Sequence, residues 1–377
     1  MKTLLFTLEY PPFRGGVANY YGNLVKYWPE PSRIFVLKDN LINQRLPFLK
    51  WLPAYFALVK KIRQEKIEHV IVGQILPLGT IAWLCSNFCK IKYSVILHGM
   101  DFTFALKSAR KKWLAGKILN HSEKIICSNS YVAGLAKQTF PDIALKVKVV
   151  NPGVEPFLSS RTERSGARDL LNLPTTADKG FLPSVEMTNK IILLSVGRLV
   201  RRKGFDKVIE ALPEVLKRVP NLVYVIIGDG PELKSYELRV TSYGLKEHVK
   251  IIEHAGDTDR DSWYNISDIF IMPSRSFNGD FEGFGIVYLE ANLAGKPVIA
   301  GRSGGTADAV VDSVTGLMVN PEKVNEITEA IVKLALDPEL RQKLGEQGGI
   351  RAMNDFNWAN QIKKIYHSLV ESYKVKS

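Results

Sequence analysis

The 377-residue chain has no apolar run near the ~20 residues that a membrane-spanning helix needs, which leaves no candidate for a spanning segment. Cysteine is scarce. The three present, Cys85, Cys89 and Cys127, form no C-x-x-C pair and cannot all pair off, so a disulfide framework is excluded and a reduced, cytoplasmic protein is expected. Cys85 and Cys89 lie four apart in an apolar helical stretch and read as core residues. No repeat of solenoid length is present. Acidic residues are few in one half only. Residues 1–180 hold 26 Lys+Arg against 12 Asp+Glu, and the remainder holds 25 against 26. The net charge of +13 therefore lies entirely in the first half. Nucleic acid, an anionic membrane surface or a phosphate-bearing substrate would each account for such polarity. No nucleic-acid reader motif accompanies the charge, so no nucleic-acid partner is expected.

Apolar residues make up 46% of the chain, enough for two cores, and the length calls for two domains of roughly 150–200 residues. The opening "MKTLLFTLEYPP" has the basic residue and short apolar run of a signal peptide. Glu9 and two prolines interrupt it, so it reads as a first strand. "TLLFTL", "RIFVL", "HVIVG", "YSVIL", "KIICS" and "VKVVN" read as strands with helices between several of them, the pattern of a parallel sheet with crossovers. A polar stretch over about 155–188 breaks the alternation. It restarts with "KIILLSVG", the helix "FDKVIEALPEVLKRV", then "LVYVIIG", "VKIIE", "DIFIMPS" and "PVIAG". The expected fold class is α/β: two doubly wound, Rossmann-like domains facing across a cleft. The amino-terminal domain spans 1–170 and the carboxyl-terminal domain 171–355, with a final helix over 356–377 crossing back to the first domain.

In such sheets ligands bind beyond the carboxyl ends of strands. After "IILLSV", Arg198 leaves a strand end, and Lys203 with Gly204 opens a helix. A guanidinium, an ammonium and a helix N-terminus converging there suit a diphosphate; the alternative is a solvated basic turn of Arg198, Arg201, Arg202 and Lys203. "DFEGFGIVYLEA" repeats the arrangement. The turn Gly283-Phe284-Gly285-Ile286 lets backbone amides approach a ligand. Glu290, further along the helix, can accept from vicinal ribose hydroxyls, unless it is merely a surface acid. Glu282 would repel phosphate and suits neutral sugar hydroxyls, unless it merely caps the helix. A nucleotide joined through diphosphate to a sugar satisfies both glutamates.

"EGFGIVYLEA" resembles the E-x7-E signature of the family 4 glycosyltransferases, and "VGRLVRRKGFDKVIEA", "GDGPE", "SDIFIMPS" and "GKPVIAGRSGGTADAV" are similar to that family's other segments in the same order. The resemblance spans essentially the whole chain, favours mannosyltransferase-like and lipid-glycan-synthesising members, and implies the GT-B fold. It further implies that Arg198 and Lys203 neutralise the donor diphosphate, Glu290 holds the ribose and Glu282 the transferred sugar. Gly15 and Gly16, after the first strand, resemble the glycine-rich loop that closes over the diphosphate. His98, at the end of "YSVIL", matches a residue close to the reacting sugar; the alternative is a structural histidine. Asp101 either contacts acceptor or caps the next segment, and Ser128 and Asn129 are weaker acceptor candidates. Glu253 falls where the family often has glycine, beside the expected base pocket; its carboxylate either accepts from the N1 and N2 donors of guanine or simply faces the surface.

The acidic "GDTDRD" imitates a metal-binding D-x-D, but the resemblance makes it a loop near the base. No obligatory metal and no cofactor are expected, because Arg198 and Lys203 carry the diphosphate charge. "GDGPE" lacks the third glycine of a dinucleotide fingerprint and reads as a turn. "RLPFLKWLPAYFALVKKIRQEK" and "LKSARKKWLAGKIL" interleave aromatics with basic residues, which suits an anionic membrane surface; the alternative is apolar residues facing the domain core with the lysines solvated. The expectation is a retaining, metal-independent hexosyltransferase that moves a sugar from a nucleotide-diphospho-sugar to a lipid-linked or other glycan acceptor. GDP-mannose is preferred over UDP-sugars, and the enzyme is peripheral on the inner face of the cytoplasmic membrane. A nucleotide-sugar 2-epimerase of the same fold would convert donor without acceptor, although its acid/base set is not evident. A noncatalytic nucleotide-sugar or membrane-binding protein would show neither transfer nor donor hydrolysis.

Overall fold

The computed structural model describes the chain apart from residues 14, 40, 43–49, 156–189 and 375–377. The polar stretch expected between domains, and the boundary expected at 170/171, lie outside the described residues. Two compact units are formed: Met1–Gly153 with Phe356–Ser377, and Val154–Asp355.

In the first unit, β1 (Thr3–Phe6), β2 (Ile34–Leu37), β3 (His69–Val72), β4 (Lys92–Leu97), β5 (Ile125–Cys127) and β6 (Val147–Val149) make one sheet in the order β2-β1-β3-β4-β5-β6. In the second, β7 (Ile191–Val196), β8 (Leu222–Ile227), β9 (Val249–Ile252), β10 (Ile269–Met272), β11 (Val298–Gly301) and β12 (Gly316–Val319) run β12-β11-β10-β7-β8-β9. Neighbouring strands within each sheet pair in parallel, for example Thr3 opposite His69 and Ile269 opposite Leu193. Helices cover both faces of such sheets, which is why the strands are short runs of Val, Ile and Leu that lack polar alternation. The strand missed in the sequence, β12, has only four residues, begins with glycine and pairs on one side with β11.

The strand order places the functional loops. It reverses between β1 and β3 in the first unit and between β7 and β10 in the second. At those switch points the loops leaving neighbouring strands diverge and open a crevice. The segments after β7 and β10 are the two motif loops picked out above.

The terminal helix, Trp358–Lys374, belongs to the first unit. Its buried Trp358, Ile362, Ile365 and Leu369 recur at helical spacing and pack with Leu5, Tyr20, Tyr21 and Leu24. Burying each such aliphatic side chain contributes about 1.5–3 kcal/mol, sufficient to hold the chain's end on this sheet. His69 adds a polar tie, its Nδ1 lying 2.9 Å from the Tyr373 hydroxyl. No helix among the described residues is long and apolar enough to cross a membrane.

Candidate active site

Three loops of the second unit converge on Glu282. The β7 loop ends in a 3-10 turn, Arg201–Lys203, closed by Gly204 at φ 77°. A Cβ at Gly204 would overlap the Pro273 carbonyl oxygen, so only glycine lets this loop lie against the segment leaving β10. The contact is then fastened. The Arg275 N–H donates to the Arg202 carbonyl at 2.8 Å, and the buried Arg275 guanidinium meets Asp206 at 2.7 Å. From the loop after β11, the Gly305 N–H donates to the Glu282 carbonyl at 2.9 Å.

The Glu282 side chain is buried and its hydrogen bonds are lopsided. Lys203 Nζ at 2.6 Å, Arg202 Nη1 at 2.9 Å and Ser274 Oγ at 3.3 Å all donate to Oε2. Among the described residues none donates to Oε1. Arg202 also meets Asp280 at 2.9 Å, so two cations and two carboxylates form a formally neutral group. Burial alone would raise the Glu282 pKa, but Lys203 and Arg202 outweigh it and hold the carboxyl below the usual range. Burial draws the Lys203 ammonium down against the pull of Glu282. Lys203 is therefore engaged by Glu282. Arg198, by contrast, is exposed at the end of β7, and its guanidinium makes no ion pair or hydrogen bond among the described residues.

The helix after the glycine turn is Ile286–Leu293, capped by Gly285 at φ 82°. A side chain at Gly285 would strike the Tyr288 ring, whose hydroxyl donates to the Met272 carbonyl at 2.7 Å. Phe284 is buried, and Gly283 and Ile286 are half-buried on either side of it and the cap. Glu290 sits in the second turn, half-buried, and accepts from the Tyr264 hydroxyl at 2.8 Å. Burial raises its carboxyl above the usual range, while Arg260 and the Tyr264 hydrogen bond pull in the opposite direction. Glu253 lies half-buried just beyond the end of β9.

"GDTDRD" is not the loop that the resemblance implied. Asp257 opens the helix Asp257–Ile266, where the acids of a first turn are favoured by the free N–H groups. Asp259 accepts from the Gly256 N–H at 3.3 Å, and Arg260 bridges Asp257 at 3.0 Å and Asp261 at 3.2 Å. Helix capping and local ion pairs account for this acidic run.

In the first unit, Gly15 caps and Gly16 opens the helix Gly16–Lys26, and a Cβ on either would meet only open space. His98 follows β4, half-buried, with Nε2 2.8 Å from the Tyr21 hydroxyl and the Tyr20 ring edge-on at 4.8 Å. Burial lowers its pKa to about 4, so the imidazole is neutral near pH 7. Asp101 Oδ1 accepts from the His98 N–H at 3.0 Å and the Gly99 N–H at 2.9 Å, holding the strand exit. Burial pushes the Asp101 carboxyl up to about 6. Asn129 is buried and caps the helix Ser130–Thr139 by accepting from the Val132 N–H, and its amide donates to Ser128 Oγ. Both side chains are thus committed to the fold.

The structure joins Lys203 directly to Glu282 and leaves Glu290 in a separate environment built by Tyr264. Arg202, Ser274, Tyr264 and Tyr21 were missed in the sequence. Arg202 carried only a faint indication, its place beside Lys203 in a basic run. The next residue back, Arg201, turns away to Glu232 at 3.2 Å, and nothing in the sequence separates the two arginines.

The family model described as "Glycosyl transferases group 1" matches residues 181–350. The chain is 28% identical to a GDP-mannose-dependent alpha-(1-6)-phosphatidylinositol monomannoside mannosyltransferase of Mycolicibacterium smegmatis, covering 96% of each. It is 32% identical to a D-inositol 3-phosphate glycosyltransferase of Corynebacterium jeikeium, over 81% of this chain and 74% of that protein. Among solved structures, HepE of Anabaena, crystallised with UDP, superposes with a TM-score of 0.80 at 20% identity, over 98% of this chain and 100% of HepE. WaaG, a glycosyltransferase of lipopolysaccharide biosynthesis, superposes with a TM-score of 0.67 at 15% identity, over 96% of this chain and 98% of WaaG. These two likenesses carry the GT-B fold. The sequence matches carry the family: the chain belongs to the group 1 glycosyl transferases and is a glycosyltransferase.

Proposed function

We propose that this glycosyltransferase moves a hexose from a nucleotide-diphospho-sugar, GDP-mannose in preference to UDP-sugars, to a hydroxyl of a lipid-linked glycan or glycolipid. The observation that carries the reading is the one-sided bonding of Glu282. Three donors fix Oε2, two of them the cations that keep the carboxylate ionised, while Oε1 is left to accept from a sugar hydroxyl. Arg198, which has no ion pair among the described residues, takes the donor diphosphate, and Glu290 takes the ribose. Lys203 is shared between Glu282 and the phosphate oxygens once donor binds. His98 hydrogen-bonds the transferred sugar.

Transfer proceeds with retention by front-side attack. The acceptor hydroxyl forms the new bond to the anomeric carbon as the diphosphate departs and takes its proton. Arg198 and Lys203 stabilise the charge that develops on the leaving group. No obligatory metal is required in this scheme. Glu282 makes a poor nucleophile because three donors draw on its charge, in keeping with a route that forms no sugar–enzyme bond.

The GDP-mannose preference is supported by the name of the Mycolicibacterium relative and by the carboxylate of Glu253 near the expected base position. That relative's phosphatidylinositol monomannoside acceptor supports a membrane-borne substrate. So does the helix Ala109–His121, where Trp113 is 59% exposed and Lys111 lies 3.6 Å from the centre of the exposed Phe104 ring. No carboxylate among the described residues pairs with Lys107, Arg110, Lys111 or Lys112. We place the enzyme on the inner face of the cytoplasmic membrane by this surface.

Thermal unfolding with GDP, UDP, ADP and their sugar conjugates tests the donor site. Saturation to ~100 Kd adds about 2.7 kcal/mol, and GDP and GDP-mannose are expected to produce that shift. A response to UDP alone would overturn the base preference, and none to any nucleotide would overturn the donor site. Neutralising the four basic residues together is expected to abolish binding to anionic vesicles, each contributing about 1 kcal/mol at the surface. Undiminished vesicle binding would refute the membrane face.

A further inference from the structure

The hydrogen bonds around His98 determine which of its nitrogens carries the proton. The Tyr21 hydroxyl lies 2.6 Å from the Gly73 carbonyl oxygen and 2.8 Å from His98 Nε2. A phenol has one proton, and a carbonyl can only accept, so that proton lies on the line to Gly73. The phenol oxygen is then left to accept, and at 2.8 Å the group facing it must be Nε2–H. Among the described residues no hydrogen bond reaches Nδ1.

The arrangement is rigid. Tyr21 is fully buried in the helix Gly16–Lys26, and its ring meets His98 edge-on with centroids 5.3 Å apart. Gly73 follows β3, where a Cβ would come within 2.7 Å of Thr7 Oγ1 and 3.1 Å of Tyr21 Cε2. Only a residue without a side chain lets its carbonyl meet the phenol there. Burial raises the Tyr21 pKa well above its usual value, and the nearby Asp101 charge adds to this, so the phenol keeps its proton. Burial also keeps the imidazole uncharged near neutral pH.

We propose that Tyr21 is a positioning residue that fixes His98 as the Nε2–H tautomer and so presents Nδ1 as a hydrogen-bond acceptor to a hydroxyl of the transferred sugar. The chain Gly73 C=O···H–O Tyr21···H–Nε2 His98 makes the imidazole a one-way acceptor. A hydroxyl-bearing position is recognised, and a deoxy position leaves Nδ1 without a donor. The proposal's sugar contact rests on the functional reading above, whereas the tautomer does not.

Long-range proton–nitrogen correlation spectra of the 15N-labelled full chain test it, with His98 assigned by comparison with His98→Gln. The wild type is expected to show a protonated Nε2 and a bare Nδ1 near neutral pH. Tyr21→Phe keeps the ring but removes both bonds, so the His98 signals are expected to move to a mixture of tautomers. Transfer from the nucleotide sugar is expected to fall roughly tenfold or more in kcat, with the affinity for the free nucleoside diphosphate unchanged. A wild-type Nδ1–H tautomer overturns the proposal. So does a Tyr21→Phe protein with unaltered His98 signals, or with altered signals and undiminished transfer. Should Tyr21→Phe fail to fold, the wild-type spectrum and the rate on the deoxy-sugar donors still decide. Rates equal to that of the parent sugar at every position would refute the contact. A wild type with the Nε2–H tautomer that neither binds nor uses any nucleotide sugar would refute the functional reading and leave the relay standing.

Discussion

Glu282 and Glu290 stand eight residues apart around one glycine turn, yet their surroundings are opposites. Glu282 has two cations and a hydroxyl on a single oxygen and is held below the usual carboxylate pKa range. Glu290 has a phenol as its hydrogen-bond partner, and burial raises its carboxyl. Arg260, whose charge favours ionised Glu290, also pairs with Asp257 and Asp261. The same residue type thus serves as a fixed anion on one side of the turn and as a conditional one on the other. On the proposed reading, the carboxylate that faces the sugar must not rotate or change charge. One meant to grip a ribose needs only to accept hydrogen bonds once the nucleotide arrives.

The largest effect is expected from breaking the first of these environments. Glu282→Ala leaves Lys203 buried without its counter-ion and Arg202 with only Asp280. Stranding a buried charge in this way costs about 3–5 kcal/mol. Urea unfolding is expected to register that loss, and transfer is expected to fall by at least about 100-fold, two decades in rate being worth about 2.7 kcal/mol. Unchanged stability would mean that the pair contributes nothing to the fold. The pH dependence follows from the lowered pKa. Stability from Glu282 is complete above its unfolded pKa of about 4.3 and disappears as pH falls through the lower folded value. Glu282→Gln, which has no such titration, is expected to lack this part of the acid loss.

Arg198 sharpens the contrast because it is the cation in this group that pairs with none of the described residues. Arg198→Ala is expected to leave stability within about 0.5 kcal/mol of the wild type, as for other exposed residues without partners. Loss of a charge-assisted hydrogen bond, about 1.5–3 kcal/mol, should weaken nucleoside diphosphate binding roughly 10- to 100-fold by calorimetry. Arg202→Ala should show the reverse, with lower stability and transfer but a smaller loss of diphosphate affinity. If both variants lose diphosphate affinity equally, the division between spent and available cations is wrong.

This division was only half legible in the sequence. The sheets were, because parallel strands buried on both faces are written as apolar runs with turn residues between them. Of the twelve strands among the described residues only β12 escaped, too short and too glycine-dependent to stand out. The placement of the motif glutamates and Arg198 was also readable, since each follows a strand that ends at a switch point. The partners that set their charge were not. Ser274 and Arg202 reach Glu282 through the packing of Gly204 on Pro273, a contact between segments about 70 positions apart that no local pattern encodes. "GDTDRD" misled for a related reason. Its acids match both a loop and a helix start, and the capping bond to Gly256 decides between them.

Tyr264→Phe probes the second environment, and its effect is expected to be the smallest. The Tyr264 hydroxyl is one of two influences that draw the Glu290 carboxyl down against burial. Its loss lets that pKa rise further. In the proposed site ribose hydroxyls donate to the ionised form, so nucleotide binding is expected to weaken as pH falls through the Glu290 pKa. The acid limb of the affinity profile is therefore expected to move to higher pH in the variant. Near neutral pH the loss should be about 2- to 5-fold, in line with the 0.5–1 kcal/mol of a single hydrogen bond. The stability change runs opposite to that of Glu282. A carboxyl whose folded pKa lies above its unfolded value contributes stability that is present at low pH and is lost as pH rises from the unfolded to the folded value. Calorimetry of nucleoside diphosphate binding between about pH 5 and 8, paired with unfolding over the same range, reads both effects. An acid limb that stays in place or moves to lower pH would mean that Tyr264 does not support the charge of Glu290, and the two glutamates would differ less than their surroundings imply.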